Sequence, residues 1–547
     1  MGTWPAVVNA TAGPTRPMSE TPTSKAPTSE AHTSKAQTSA ATTHPAAPGQ
    51  RMLLLGEGLA VVTGVILRLW PRRALWLDEA QSVAFARESF GSIPGALRQD
   101  GAPPLYYLLL RAWTNAFGTG TTAVRLLSAV VSVGALVVLT AVAKQLWNAR
   151  AAAAVLVIAS TSSFAIRYAS ETRMYSLVTL EVAAGMWFAV RWIDRRSFVA
   201  LAGLAATAAA LLYTHYWGLY LVATVLIVLA IAAIRPVRRP VVVPIGVAIV
   251  AGCALWLQWL PSFRFQSRHT ATPWAQAARL GDIVTATGLR TGWGSLARSI
   301  VVVVLSGAVI GAVVQTWARA RTSAPERPRL LRALVFVTVA CPLLAVAGGA
   351  LSNSAYTVRY TAVVFPPAML VAGAACALIR PARLGAAAVV VVAVLSAAVS
   401  IHEIGVPRTT ASRIAALMRP LVRPGDVVVY CPDQLGPAMH RQLAGDPAFA
   451  NVRQEVYPAG DPSRVDWIDY RARYDRADPI AATATGAVMA ATNRVWLVWS
   501  GTYPPTQAAC TALFNQLQRT HPDHRVLAVD DPSISDHESL WEFEPAA

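Results

Sequence analysis

Trp76-Leu77-Asp78-Glu79-Ala80 sets two acids side by side just after the first long apolar run of this chain. Acids are scarce: 29 Asp and Glu stand against 47 Lys and Arg in 547 residues, and charged residues make up only 14%. A carboxylate beside a hydrocarbon phase is costly and calls for a partner or a chemical task. Other turns join cations to aromatics: Arg167-Tyr168 through Arg173-Met174-Tyr175, Tyr213-Thr214-His215-Tyr216-Trp217, and Val358-Arg359-Tyr360. A planar guanidinium fits phosphate oxygens by paired hydrogen bonds. Tyr, Trp and His rings cover the apolar faces of a sugar while their polar ends meet its hydroxyls. A carboxylate among them can take the proton of an attacking hydroxyl.

These residues need elements that bring them to one place. The chain is 54% hydrophobic with 17 Trp, far beyond an ordinary soluble domain, which points to many membrane spans. Apolar runs long enough for a ~30 Å core at ~1.5 Å per residue occur near 53–70, 121–143, 150–166, 174–190, 198–213 and 215–234. Further runs fall near 240–260, 297–316, 331–352, 361–379 and 384–401, which makes about eleven. The net charge of +18 is spread over the short loops between them, so it orients the protein in a membrane and does not read nucleic acid.

With 104–118 kept out of the bilayer and the N-terminus cytoplasmic, the inner connections hold Lys144 and Arg150, Arg191 to Arg196, Arg235 to Arg239, Arg319 to Arg332, and Arg380 and Arg383. The short outer ones then hold only Arg167, Arg173 and Arg359. Counting 104–118 as a span would invert every later loop and erase that bias, so it is predicted as a surface helix. An odd number of spans sends 403–547 outside, as an extracytoplasmic α/β domain with strand-like runs at 427–431, 495–500 and 525–529 and helical stretches near 409–420 and 506–519. Cys431 and Cys510 fall in that domain, where they either pair or stay as two thiols. Residues 1–50 form a Thr/Ser/Ala/Pro tract with a near five-residue repeat, predicted as a disordered cytoplasmic tail.

On this topology Asp78, Glu79, Pro103-Pro104-Leu105-Tyr106-Tyr107 and the three Arg/Tyr/His turns all meet at the outer face. A phosphate leaves as an acidic group, so charge stabilisation by Arg takes the place of a general acid. The set fits sugar transfer from a lipid phosphate to a hydroxyl.

Leu75 to Ala80, Pro103 to Tyr107 and Ala123-Val124-Arg125-Leu126 resemble the N-terminal region of GT-C glycosyltransferases, most of all the protein O-mannosyltransferase-like branch that includes bacterial aminoarabinose transferases. The 167–175 turn and Val358-Arg359-Tyr360 followed by Pro366-Pro367 are similar to later blocks of that group, so the resemblance runs over roughly 53–400. It implies an inverting transferase that uses a polyprenyl-phosphate sugar, with Asp78 as the base, Glu79 beside it, and no metal or other cofactor. Arg167, Arg173, His215, Tyr216, Arg359 and Tyr360 are the donor-binding candidates, and Tyr106 and Tyr107 line the cavity or meet the acceptor. Gly101-Ala102 stand where the aminoarabinose pattern carries Lys, which speaks against that donor; mannose is the expected sugar. Arabinofuranosyl transfer from decaprenyl phosphate and a lipid-linked saccharide flippase are the alternatives. The partners are the lipid donor, membrane lipid and a glycan, lipid or protein hydroxyl acceptor. Glu181 and Arg125 are predicted to serve packing, Arg125 by pairing with an acid of the first loop.

Overall fold

The computed structural model describes residues 48–70, 74–270, 278–286, 293–319, 326–352, 356–478, 493–500, 503, 505–531 and 533–545. The expected 1–50 tail falls almost wholly outside them. Residues 52–547 form one compact unit.

The membrane half is helical, and the eleven apolar runs fall on helices, the 150–166 run on two of them. In chain order these are α1 Pro48–Leu69, α2 Leu77–Ala86, α3 Ile93–Ala96, α4 Leu105–Phe117, α5 Thr121–Leu146, α6 Ala149–Thr161, α7 Ser163–Ala169, α8 Tyr175–Arg195 and α9 Phe198–Thr214. There follow α10 Gly218–Ala233, α11 Arg239–Trp256, α12 Leu260–His269, α13 Leu280–Ala286, α14 Trp293–Arg319, α15 Glu326–Ser352, α16 Phe365–Leu378 and α17 Ala382–Gly405. Among the described residues five helices are long and apolar enough to cross a bilayer, six if α6 and α7 count as one bent span, and four shorter apolar stretches stand beside them. Ile231, Val247 and Val394, each more than half exposed, face outward where lipid replaces water as the solvent. The chain is a multi-pass membrane protein.

Inside the bundle, small residues let backbones approach, as expected where lipid removes the hydrophobic drive between helices. A side chain at Gly252 would collide with the Ala205 carbonyl, and one at Gly373 with Val155. The axis turns by 56° between α6 and α7. The carbonyls freed at the end of α6 are met by a buried arginine: Arg68 of α1 donates to Ala159 O at 3.0 Å and to Ser160 O at 2.6 Å, and also to Ser132 Oγ. Orphan carbonyls at a helix end need such a partner, and Arg68 gives one that sequence reading had not found. Glu181, deep in α8, accepts from Thr214 Oγ1 at 2.7 Å, in line with a packing role.

The predicted surface helix is α4. Its 13 residues extend about 20 Å at ~1.5 Å each, too short for a ~30 Å core. It buries Tyr106, Tyr107, Leu110 and Thr114 against the bundle.

The C-terminal part is a three-layer α/β domain built on β1 Val427–Cys431, β2 Arg453–Val456, β3 Val495–Trp499, β4 His524–Ala528 and β5 Ser539–Phe543, in the order β2-β1-β3-β5-β4. β1 runs parallel to β2 and β3, whereas β5 lies antiparallel between β3 and β4. Val428 and Tyr430 face α18 (Ala411–Met418) and α19 (Gly436–Leu443). Val427, Val429 and Cys431 face α20 (Tyr470–Asp475) and α21 (Gln507–Thr520). Cys431 and Cys510 are joined in a disulfide that ties the end of β1 to α21, Cα to Cα 5.6 Å. β2 and β5 escaped the sequence reading. β2 spans only four residues, and β5 carries Trp541 and Glu542 among its apolar positions.

Candidate active site

Asp78 is held by two parts of the molecule at once. It lies in the first turn of α2, where a negative charge favours the helix dipole. The residue before it, Leu77, is buried in the apolar core of the C-terminal domain beside Val429, Tyr470 and Leu513. No side chain of the helix caps the Leu77 N–H; Asp536 of the C-terminal domain does so, accepting it at 2.6 Å. Burial pushes the Asp536 carboxyl up to about 7, the charges of Asp78 and Glu79 add to this, and the N–H of Leu77 and Arg408 oppose it.

The Asp78 carboxylate turns toward cations of the membrane half. Arg359 Nη1 donates to Asp78 Oδ2 at 2.5 Å, and Arg173 Nε lies 3.8 Å from the same oxygen. Arg173 is fixed in turn by Ser82 Oγ at 3.2 Å and Tyr107 OH at 3.4 Å. Behind them Asp100 accepts from Tyr107 OH at 2.6 Å and from Gln81 Nε2. Burial raises the Asp100 carboxyl above its usual range despite Arg173 and these donors. The arrangement locks Arg173 and Arg359 in place before any ligand arrives.

Glu79 belongs to a different environment from its neighbour. It has no exposed surface and makes a two-point pair with Arg125, Nε to Oε1 at 2.7 Å and Nη2 to Oε2 at 2.6 Å, while Thr172 N donates to Oε1 at 2.8 Å. Burial alone would raise this carboxyl, but Arg125, with Arg408 and the Thr172 N–H beside it, holds the group below its normal value. Glu79 thus fastens α2 to α5 and to the 171–173 turn. It does not line the cavity, as a catalytic partner of Asp78 would.

That cavity has a volume of about 630 Å³ and opens between the bundle and the C-terminal domain. Of the residues singled out in the sequence, Trp76, Leu77, Asp78, Arg167, Tyr168, Val358 and Arg359 line it. Arg167 leans on Glu171 at 3.6 Å, and that buried acid also pairs with Arg408. His215 and Tyr360 stand one layer back, ring centroids 5.1 Å apart, with Tyr175 5.8 Å from His215. Tyr106 and Tyr107 are buried beneath Arg173, in contact at 5.8 Å, and so support the wall without facing the cavity. Tyr216 points elsewhere: it donates to Gln266 and accepts from Trp259 Nε1 at 2.8 Å, bracing the start of α10 against α12.

Sequence reading did not find the rest of the lining. Arg298 and Glu403 pair across α14 and α17, and Phe164, Val301, Val302 and Val399 make an apolar flank. Gln434, Trp467, Tyr503, Ser535 and Asp536 come from the C-terminal domain. Of these only Trp467 carried a signal, as an aromatic within the charged 461–478 stretch. Tyr470 and Tyr474 of the same stretch are buried instead against Asp433, at 2.7 and 3.0 Å.

Residues 101–259 match the family model described as dolichyl-phosphate-mannose-protein mannosyltransferase. Among curated proteins none matches by sequence. The fold is similar to that of ArnT from Cupriavidus metallidurans, solved with undecaprenyl phosphate, at 14% identity and TM-score 0.56, covering 91% of this chain and 98% of that one. The same protein in its apo state gives 16% identity and TM-score 0.58 over 90% and 98%. The oligosaccharyltransferase of Archaeoglobus fulgidus, tethered to an acceptor peptide with the NVT sequon, gives 10% identity and TM-score 0.51 over 90% of this chain and 74% of that one. The chain thus shares its fold with ArnT and with the archaeal oligosaccharyltransferase, and its residues 101–259 carry the match to the mannosyltransferase family model.

Proposed function

We propose that this protein is a membrane glycosyltransferase that moves a sugar, mannose, from a polyprenyl-phosphate donor to a hydroxyl acceptor with inversion at the anomeric carbon. The observation that carries the reading is the position of Asp78: one carboxylate at the wall of a cavity, beside Arg359 and Arg173, with Arg167 facing the same space. Support for the lipid phosphate comes from the similar fold of ArnT, which was solved with undecaprenyl phosphate, and support for mannose from the description of the matched family model. On this reading the cavity and residues 403–547 lie outside the cytoplasm and the N-terminus inside, which the charge pattern of the loops supports.

In the mechanism the acceptor hydroxyl attacks the anomeric carbon, its proton passes to Asp78, and the bond from that carbon to the phosphate oxygen breaks. The polyprenyl monophosphate leaves with the bonding pair. Arg359 and Arg167 take up the charge on that phosphate, and Arg359 is set to bridge Asp78 and the phosphate. The apolar flank of Phe164, Val301, Val302 and Val399 suits the first isoprenes of the lipid. A β-linked donor gives an α-linked product.

The test is transfer by membranes holding the wild type or Asp78→Asn, given radiolabelled polyprenyl-phosphate mannose or arabinose and an envelope extract. Label transferred by the wild type and lost in the variant supports the reading. Transfer undiminished in the variant removes Asp78 as the base, use of arabinose alone replaces the donor, and transbilayer movement without transfer replaces the enzyme with a flippase.

A further inference from the structure

The first turn of α2 leaves backbone N–H groups that have no partner within the helix. A Ser, Thr, Asp or Asn at the position ahead usually meets them. Here that position is Trp76, whose side chain accepts none. The N–H groups of Glu79 and Ala80 reach Trp76 O at 3.0 and 2.9 Å, and Arg125 clamps Glu79 from behind. Leu77, ahead of them, relies on Asp536 Oδ2 at 2.6 Å.

Asp536 is itself fastened to the junction between α17 and the C-terminal domain. Its N–H donates to Arg408 O at 2.9 Å and its carbonyl accepts from Thr410 N at 3.2 Å, in a parallel bridge with Thr409. Glu538 clamps the same junction, accepting from Thr409 Oγ1 at 3.2 Å and from Thr410 N at 3.1 Å. The Arg408 side chain leaves this bridge in another direction and pairs with Glu171, the buried acid on which Arg167 leans.

We infer that this junction sets the base and a phosphate-facing cation relative to one another, through two positioning residues. Asp536 aims Asp78 by fixing the start of α2, and Arg408 keeps Arg167 at the cavity by occupying Glu171. This rests on the proposed transfer reaction and adds to it two residues that act through others.

If the start of α2 slips by one residue, every side chain on it turns by about 100°. A reacting group displaced by about 1 Å costs on the order of 10²-fold in rate. Asp78 lies in that first turn, so the contact from Asp536 to Leu77 fixes its direction before substrate arrives. On the other arm, Arg408 takes the close contact with Glu171. Arg167 Nε stays 3.6 Å away, beyond the ~2.7–2.9 Å of a charge-assisted hydrogen bond, and Arg167 still lines the cavity.

The test uses the full chain in lipid nanodiscs, with radiolabelled polyprenyl-phosphate mannose as donor and an envelope extract as acceptor. Asp536→Ala should lower kcat on the order of 10- to 100-fold while the donor KM stays within about twofold. Asp536→Asn loses the charge but keeps an acceptor for the Leu77 N–H, so its kcat should lie within about threefold of wild type. Asp536→Glu keeps the charge and displaces the acceptor; it should share the loss, and it serves if Asp536→Ala does not fold. Arg408→Gln should show the opposite split, the donor KM rising about fivefold with kcat near wild type, because Arg167 then closes onto Glu171. A wild-type kcat in Asp536→Ala overturns the inference. So does a loss in Asp536→Asn as deep as in Asp536→Ala, since charge and not position would then be the cause. A donor KM unmoved in Arg408→Gln overturns the Arg408 arm. In each of these the wild type still transfers label; a wild type that neither transfers nor releases it removes the underlying reaction instead.

Discussion

Two clusters in this molecule use the same residue types and do different work. In the membrane half Asp78 meets Arg359 and Arg173 with tyrosines behind them. In the C-terminal domain Asp433 meets Arg473, Tyr470 and Tyr474 at 2.9, 2.7 and 3.0 Å. Asp433 keeps only 3% of its side chain exposed, and its oxygens are filled by protein donors. Burial pushes its carboxyl up, and Arg473 with the two tyrosines pull against that. The Asp78 side chain is 16% exposed and borders open space. A buried acid whose acceptors are all satisfied is a staple; one that keeps a face toward a cavity can exchange a proton. Glu79, next to Asp78 in sequence, falls on the staple side of this division.

The comparison can be broken most directly at its two aspartates. Asp78→Asn should lower transfer by on the order of 10²- to 10⁴-fold while the protein stays folded. A modest loss of rate with a large fall in unfolding temperature would reverse the assignment. Asp433→Ala should instead cost about 3 kcal/mol, seen as a lower thermal midpoint of the C-terminal domain, because Arg473 would be left without its buried partner. Glu79→Gln belongs with it, and full stability in that variant would argue that Glu79 is not a staple.

Smaller changes sharpen the picture. Arg359→Lys keeps the charge but loses the planar fork, so kcat/KM for the donor should drop about tenfold. An unaltered kcat/KM would show that a point charge suffices there. The smallest effect is expected at Asp536, where the sign follows from its raised pKa. The folded state binds a proton that the unfolded state has already released between 3.8 and about 7, so this group's contribution to stability falls as pH rises through that window. Asp536→Asn has no such titration and can still accept the Leu77 N–H. Its thermal midpoint relative to wild type should therefore climb from pH 4 to pH 7 and level off above. A constant difference across that range would mean that Asp536 titrates normally.

Much was legible from sequence because a bilayer imposes simple rules. Length and hydropathy of the apolar runs mark the helices, since every backbone group must find its partner within the segment. Local order also marked β1, β3 and α18. The scarcity of acids brought Asp78 forward, and the aromatic-cation turns brought Arg167, Arg173 and Arg359 with it.

What tertiary structure alone decided is which of these residues share a space. Arg359 lies 281 residues from Asp78, and Asp536 lies 459 residues from Leu77, separations over which no periodicity carries information. Asp78 and Glu79 are identical neighbours to any local rule; one helical step of about 100° sends the first to the cavity and the second into the Arg125 pair. The sequence by itself determined a helical membrane protein with a few costly charges that needed an explanation. Packing of the C-terminal domain onto the bundle decided which charge faces open space, because burial and partners are properties of the assembled chain.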